Sequence, residues 1–208
     1  MDHLNIVIIW KGRDNLPIFS KHEIALIMID EILSVRAMSK VELNHVADYF
    51  LQADKLFLEG MGVDTNKLPE KNEWLNMLSI EFDKKMEDKK SFFVIWLLNN
   101  DPIGHSNINK IIFGEEAFMH LHLWQSDKRN KGFGIDLIKK SLPLYFENFK
   151  LKELYCEPYA FNSAPNKTLQ KIGFDFIKQY ETTPGWINTY QTVNRWRMSY
   201  EKYKMLEL

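Results

Sequence analysis

The sequence has a single cysteine, Cys156, among 208 residues. One cysteine excludes an internal disulfide and a zinc site built from several thiolates. Long hydrophobic runs are also missing, because the longest unbroken apolar stretch, residues 92–98, has only seven residues. A membrane-spanning helix needs about 20. The N-terminal segment lacks the basic flank and small-residue cleavage site of a secretory signal. We therefore expect a cytoplasmic protein without a membrane partner.

An excess of charge of one sign is missing too. The chain has 27 Lys and Arg residues against 28 Asp and Glu residues, a net charge of −1. Proteins that depend on phosphate contacts normally carry an excess of basic residues, so nucleic acid is not an expected partner. What the sequence does contain is 45% hydrophobic and 13% aromatic residues. That composition is sufficient for a sizeable core in a chain of one-domain length.

The order of the predicted elements indicates an α/β domain around one central, partly parallel sheet. Two helices come early, and the first opens with a capping-box pattern at Ser39–Glu42. A meander of strands follows, and strands then alternate with helices. Pro143 is expected to kink or end the helix that contains it. We expect a single domain over residues 34–203, preceded by an extension (1–33) and followed by a short tail (204–208).

The segment with the clearest chemical content runs from a strand into Arg129-x-x-Gly132-x-Gly134 and then a helix. Two glycines at a strand–helix junction let backbone amides approach an anion closely, and the beginning of the helix adds the positive end of its dipole. Arg129 and Lys131 add formal positive charge. A pyrophosphate fits such a site, although the pattern alone is equally compatible with an ordinary turn.

A second segment begins at Asn162 and ends in Lys171-x-Gly173-Phe174. These two motifs, in this order and about 30 residues apart, resemble those of the GNAT superfamily of acetyl-CoA-dependent N-acetyltransferases. The resemblance covers roughly residues 34–200 and is strongest to the branch of ribosomal-protein N-terminal acetyltransferases. It implies a mixed, mostly antiparallel sheet of six or seven strands, flanked by helices and splayed between its fourth and fifth strands. The pantetheine arm of the cofactor would enter the gap.

The resemblance also assigns the cofactor-binding residues. Backbone amides over residues 130–135 would hold the pyrophosphate, the end of the preceding strand would pair with the pantetheine amides, and Asn162 would help to hold the cofactor arm. The predicted residues are Leu123, Trp124, Gln125, Arg129, Asn130, Lys131, Gly132, Phe133, Gly134, Ile135 and Asn162. Acetyl-CoA would be the co-substrate, and no metal is expected.

One position departs from the family pattern. Many members have a tyrosine seven residues after the asparagine, where it protonates the leaving thiolate, and here that position is Leu169. A thiolate with a pKa of about 8.5 leaves without much help near neutral pH, so the change is compatible with activity. It also motivates an alternative function, a non-catalytic CoA-binding or protein-interaction module on an acetyltransferase scaffold.

Candidate bases for the acceptor amine come from neighbouring strands. N-acetylation needs a neutral amine, so a proton must pass to a base or to water. His120 and His122 share one face of a strand, and the ordinary histidine pKa of about 6.5 suits a base at pH 7. Hydrogen bonding within the sheet is their alternative role. Glu157, on the adjacent strand, is the third candidate. His105 is expected to point either into the cleft or into solvent.

The resemblance also implies an acceptor pocket lined by the early helices, their connecting loop and the last hairpin. Trp186, in a turn beside Pro184 and Gly185, is the predicted pocket aromatic. Asp64 could attract a cationic amine, although a carboxylate on a loop is more often solvated. The sequence thus predicts transfer of the acetyl group of acetyl-CoA to a primary amine by direct attack in a ternary complex. The acceptor would be a small amine or a peptide or protein N-terminus, and the enzyme a monomer or homodimer.

Overall fold

The structure is a computed structural model, which describes residues 31–129 and 131–206. The strands are β1 (Leu33–Ala37), β2 (Ser91–Leu98), β3 (Asp101–Ile112), β4 (Glu116–Leu123), β5 (Glu153–Cys156), β6 (Asp175–Thr182) and β7 (Gln191–Ser199). The helices are α1 (Leu43–Leu51), α2 (Lys55–Gly60), α3 (Lys71–Phe82), α4 (Phe133–Phe149), α5 (Ser163–Ile172) and α6 (Tyr200–Lys204). Residues 1–30 of the predicted extension, residues 207–208 of the predicted tail and Asn130 lie outside the described residues.

The seven strands form one sheet in the order β1-β2-β3-β4-β5-β7-β6. Neighbouring strands are antiparallel except β4 and β5, which run parallel. These two pair over three positions only, the last being Phe118–Tyr155. Beyond it β4 continues to Leu123, whereas β5 ends at Cys156. The divergence leaves a gap in the sheet, and this confirms the predicted mixed sheet with a splay between its fourth and fifth strands.

Helices cover both faces of the sheet. Because side chains alternate along a strand, Trp96 of β2 packs on the face covered by α4 and α5, and Ile95 packs on the face covered by α1 and α3. The seven-residue apolar run is thus a strand covered on both faces, which is why it shows no alternation of polar and apolar residues. Within the described ranges, no helix is long and apolar enough to cross a membrane.

Pro143 lies inside α4 and does not end it. The helix continues to Phe149 because Leu142, Tyr145 and Phe146 around the proline are fully buried in the core. Proline removes one backbone hydrogen bond, to the carbonyl four residues earlier. That carbonyl belongs to Lys139, and both Lys139 and Pro143 are half-buried, so water can reach this side of the helix. Packing of the buried face therefore outweighs the lost bond.

Candidate active site

Two cavities meet at the gap between β4 and β5. The first, of about 460 Å³, lies between β4, the beginning of α4 and α5 and is called the α4 cavity here. The second, of about 250 Å³, lies between the opposite face of the sheet, α3 and the turn before β7, and is called the histidine cavity. The residues that line both cavities form the junction: Met61, Leu121, His122, Asn162 and Pro165.

The beginning of α4 presents backbone amides to the α4 cavity. Gly132 precedes the helix in the left-handed region, with φ of 86°, and none of the described side chains caps the helix. A β-carbon added at Gly132 or at Gly134 would meet no atom of the described residues within 4 Å. Amides of the first helical turn have no partners within the helix and lie at the positive end of its dipole. Gly132, Gly134 and Ile135 line this cavity, whereas Phe133 is buried in the core.

Positive side chains from two segments surround the same space. Arg129 lines the α4 cavity, with its guanidinium 4.4 Å above the ring of Phe57. Lys167 and Lys171 of α5 also line the cavity, and sequence reasoning missed them. The sequence signal for these two lysines is that they are four residues apart on a predicted helix, which places them on one face of it. Lys131 is exposed and does not belong to the cavity lining.

The edge of β4 that faces the gap carries backbone groups without a strand partner. The Trp124 N–H donates to the Ile103 carbonyl on the β3 side, at 3.0 Å. Since backbone groups alternate between the two edges of a strand, those of Leu123 and Leu121 face the gap. The Leu123 carbonyl accepts a hydrogen bond from Arg129 Nη2 at 3.0 Å. An extended ligand that contains amides can pair with such an edge as an added strand does.

Three histidines of β3 and β4 lie together on the face of the sheet that lines the histidine cavity. His105 of β3 is in register with His122 of β4, and their rings stack with centroids 4.6 Å apart. Burial, reinforced by His120, lowers the pKa of His105 to about 3. Burial, reinforced by Lys110, lowers the pKa of His120 to about 4. Burial also holds the pKa of His122 well below its ordinary value. All three are neutral at pH 7, so the ordinary pKa assumed from sequence does not apply in the folded protein.

Several ring nitrogens of these histidines lack protein partners. Trp124 Nε1 donates to His105 Nδ1 at 2.8 Å, so the proton of His105 lies on Nε2. In the part of the chain that the structure describes, His105 Nε2, His120 Nε2 and His122 Nδ1 are buried without a hydrogen-bond partner. Buried polar atoms normally have one, so the histidine cavity suits a ligand with hydrogen-bonding groups. Across the same residues, no group of three or more His, Cys, Asp or Glu is arranged to hold a metal ion.

Glu157 lines the histidine cavity but is held in an ion pair. Its Oε1 accepts from Arg195 Nε at 2.6 Å, and its side chain is only 4% exposed. The Tyr180 hydroxyl also donates to Oε1, and Arg195 Nη2 donates to that hydroxyl at 2.7 Å. Burial, followed by the hydrogen bond to Glu157, raises the pKa of Tyr180 to about 12. The negative charge of Glu157 is therefore balanced by Arg195 before any ligand binds.

The structure brings one of the two predicted acceptor residues to the cavity. Trp186 lines the histidine cavity, and its ring lies at 76° to that of Trp74 with centroids 5.8 Å apart. Asp64 belongs to the lining of neither cavity. Its side chain caps a short 3-10 helix by accepting the Asn66 N–H at 3.1 Å. Trp124 and Gln125 likewise lie outside both linings.

A tyrosine hydroxyl lies beside the junction, although not at the family position. Leu169, which occupies that position, is fully buried in the core. Tyr49 of α1 instead donates to Met61 Sδ at 3.4 Å, and its ring centroid is 5.3 Å from that of His122. Burial raises the pKa of Tyr49 to about 12, so the hydroxyl keeps its proton at neutral pH. Sequence reasoning missed Tyr49 because nothing in the pattern of α1 separates it from a core aromatic.

The comparisons with known proteins agree with this geometry. The family model described as acetyltransferase (GNAT) domain matches residues 35–175. No curated protein sequence matches the chain. Among solved structures, the ribosomal-protein alpha-N-acetyltransferase RimL in complex with coenzyme A is 13% identical, with a TM-score of 0.67 over 82% of this chain and 95% of that chain. An aminoglycoside acetyltransferase in complex with coenzyme A is 14% identical, with a TM-score of 0.65 over 85% of this chain and 100% of that chain.

A third solved structure has the same fold. Spermidine N-acetyltransferase from Vibrio cholerae, in complex with coenzyme A and spermine, is 19% identical, with a TM-score of 0.63 over 83% of this chain and 98% of that chain. At such identities the solved structures show the fold alone, and the ribosomal-protein branch is one of several that share it. The family match is more extensive evidence, since it runs from β1 to the beginning of β6 and contains both sequence motifs. The chain therefore belongs to the GNAT family of acetyl-CoA-dependent N-acetyltransferases.

Proposed function

We propose that the protein transfers the acetyl group of acetyl-CoA to a primary amine that approaches through the histidine cavity. The observation that carries this proposal is the junction, where the α4 cavity and the histidine cavity share His122 and Leu121. Acetyl-CoA would supply an activated acyl thioester. The free amides of α4, together with Lys167 and Lys171, fit its phosphates, and the open edge of β4 fits its amide-containing arm.

The reaction balances without a further co-reactant. The amine nitrogen forms a bond to the acetyl carbon, the carbon–sulfur bond breaks, and the sulfur gains a proton while the amine loses one. Negative charge that develops on the carbonyl oxygen is best stabilised by a fixed donor in a site shielded from water. A backbone N–H on the open edge of β4, at Leu121 or Leu123, is such a donor.

Two side chains at the junction suit the proton movements. His122 is neutral, and its Nδ1 has no partner among the described residues, so it can accept a hydrogen bond from the amine and orient it. Tyr49 keeps its proton, and its hydroxyl can donate a hydrogen bond to the sulfur as the carbon–sulfur bond breaks; the proton that the amine loses then passes to the sulfur, directly or through water. His120 and Glu157 stay predictions as catalytic residues, and the ion pair of Glu157 with Arg195 makes it the weaker of the two. A monomer or homodimer likewise stays a prediction.

Free thiol should be released from acetyl-CoA only when an amine is present. His122→Asn and Tyr49→Phe should each lower kcat about 100-fold, within the range for general acid–base groups, while acetyl-CoA still raises the Tm. The exposed histidine of α1, in a His45→Asn variant, is the matched control and should keep full activity. Wild-type rates in both junction variants would contradict the assignment of these two residues.

Gly134→Asp is expected to weaken acetyl-CoA binding at least tenfold, or about 1.4 kcal/mol. The substitution places a carboxylate in the open space before α4, where no atom lies within 4 Å of the new β-carbon. Aspartate in the first turn favours the helix, so folding should survive while the phosphates are repelled. Gly134→Asn has the same shape without the charge and is the control. Isothermal titration of both variants with acetyl-CoA gives the comparison, and equal affinities would contradict an anion site at this helix.

The alternative, a non-catalytic CoA-binding or protein-interaction module, is favoured only by the buried Leu169. It predicts that acetyl-CoA raises the Tm as in an enzyme, because a ligand that binds only the folded state stabilises it. It also predicts no amine-dependent release of thiol. The same two measurements therefore separate the alternatives.

A further inference from the structure

The histidine cavity combines aromatic walls with neutral polar groups. Phe50, Trp74 and Trp186 contribute rings to its lining. Asn109 and Gln191 line the same cavity, and Asn109 Oδ1 and Gln191 Oε1 are buried without a hydrogen-bond partner in the described structure. Rings of this kind favour an apolar body, and unpaired amide oxygens accept a small number of hydrogen bonds. The lining thus offers apolar contact and neutral acceptors.

Among the described residues, the lining of the histidine cavity has no unpaired negative charge. Glu157 is the one carboxylate among its residues in the described structure, and Arg195 already balances its charge at 2.6 Å. The three histidines are neutral at pH 7. On the rim, Lys110 Nζ donates to the Pro184 carbonyl at 2.8 Å and adds positive charge. An ammonium group inside this cavity would lose its hydration without gaining an ionic partner, and this is costly.

We infer that the acceptor is an amine with a single cationic group on an uncharged, apolar or aromatic body, and not a polycation. This inference rests on the proposed function and specifies its substrate class. The reacting amine must lose its proton before it attacks, so one amine needs no carboxylate in the bound state. Every additional ammonium group of a polyamine or aminoglycoside would stay charged without a carboxylate to pair with, and the ring faces of Trp74 and Trp186 would offset only part of its lost hydration. The lining therefore selects against additional charges and for apolar surface.

The test compares how fast the full chain acetylates different amines. Thiol release from acetyl-CoA is measured at pH 8 with phenethylamine and hexylamine as monoamines, and with spermidine and kanamycin as polycations. We expect kcat/KM to be at least 100-fold higher for the better monoamine than for either polycation. A polycation that reacts as fast as the monoamines would overturn the inferred class while leaving the acetyltransferase function intact. No thiol release with any amine, despite intact acetyl-CoA binding, would overturn the proposed function and this inference with it.

A single carboxylate added to the lining should shift the selectivity. Asn107 lines the histidine cavity and lies opposite His120 in the β3–β4 register. Asn107→Asp adds charge at nearly constant shape and is expected to raise the kcat/KM ratio of spermidine to phenethylamine at least tenfold. Asn76→Asp adds the same charge at an exposed position of α3 and should leave the ratio unchanged. An unchanged ratio in Asn107→Asp, with acetyl-CoA still raising the Tm, would overturn the argument from charge.

Discussion

Lowering the pH from 7 to 5 is expected to reduce the free energy of unfolding by about 5 kcal/mol, through the three buried histidines. In the unfolded chain each imidazole has an ordinary pKa of about 6.5. In the folded protein burial lowers the pKa of His105 to about 3 and that of His120 to about 4, and holds the pKa of His122 well below its ordinary value. Below pH 6.5 the unfolded chain therefore binds more protons than the folded protein, and stability falls as the pH falls.

The size of this effect follows from the number of histidines. Each histidine lowers the free energy of unfolding by up to about 1.4 kcal/mol for every pH unit below pH 6.5. Three histidines therefore cause a loss comparable with the whole stability of many domains. Glu42 acts at lower pH: hydrogen bonds from Arg36 lower the pKa of this carboxyl to about 2, and its contribution is lost as the pH falls below about 4.5. The window between pH 7 and pH 5 therefore reports mainly on the histidines.

Urea unfolding at pH 7, 6 and 5, at one ionic strength, measures this dependence directly. His105→Gln keeps an acceptor for Trp124 Nε1 but removes a titrating ring, so the slope of unfolding free energy against pH should fall by about one proton. His45→Gln makes the same substitution at an exposed histidine outside the buried cluster, and the slope of His105→Gln is compared with the slope of this variant. A stability that stays constant between pH 7 and pH 5 would show that the histidines are protonated in the folded protein.

Local sequence signals predicted the backbone geometry at the beginning of α4 and of α5. Gly132 takes its left-handed φ and Gly134 lies in the first turn of α4. Both features are set within a few residues, and Asn162 likewise precedes α5 as its N-cap. The capping box shows the limit of such signals. Glu42 accepts the Ser39 N–H at 2.7 Å as the pattern predicts, but α1 begins only at Leu43.

Properties that depend on distant segments could not be predicted from the sequence. The low pKa values of the histidines require the register that places His105 opposite His122, and packing of α1 over both rings. The sequence leaves open whether His105 points into the cleft or into solvent, and the structure buries its side chain fully. The pairing of Glu157 with Arg195 joins residues 38 positions apart. Spacing along one strand predicted a shared face correctly, but it carried no information about what covers that face.

Gly104→Ala is expected to lower the free energy of unfolding by about 3 kcal/mol, as overpacking of a close strand pair does. Gly104 of β3 lies opposite Leu123 of β4. An added β-carbon would lie 2.4 Å from the His122 carbonyl oxygen, 3.2 Å from Leu123 Cα and 3.2 Å from Trp96 Cε3. Two of these atoms are backbone and cannot rotate away. The third belongs to a ring whose Nε1 donates to Ser141 Oγ of α4 at 2.9 Å.

The strain would fall on the segment that forms the site. For the β-carbon to fit, β4 must move away from β3 at His122 and Leu123, which line the junction and the open edge. We therefore expect acetyl-CoA affinity to fall at least tenfold, measured by titration well below the Tm so that folded protein is compared. Gly60→Ala, whose β-carbon meets none of the described atoms within 4 Å, is the control and should lose neither stability nor affinity. If Gly104→Ala had the same stability and the same acetyl-CoA affinity as Gly60→Ala, the β3–β4 pair would be able to separate at His122 without loss of either. The close approach of these strands would then not fix the position of β4 at the gap.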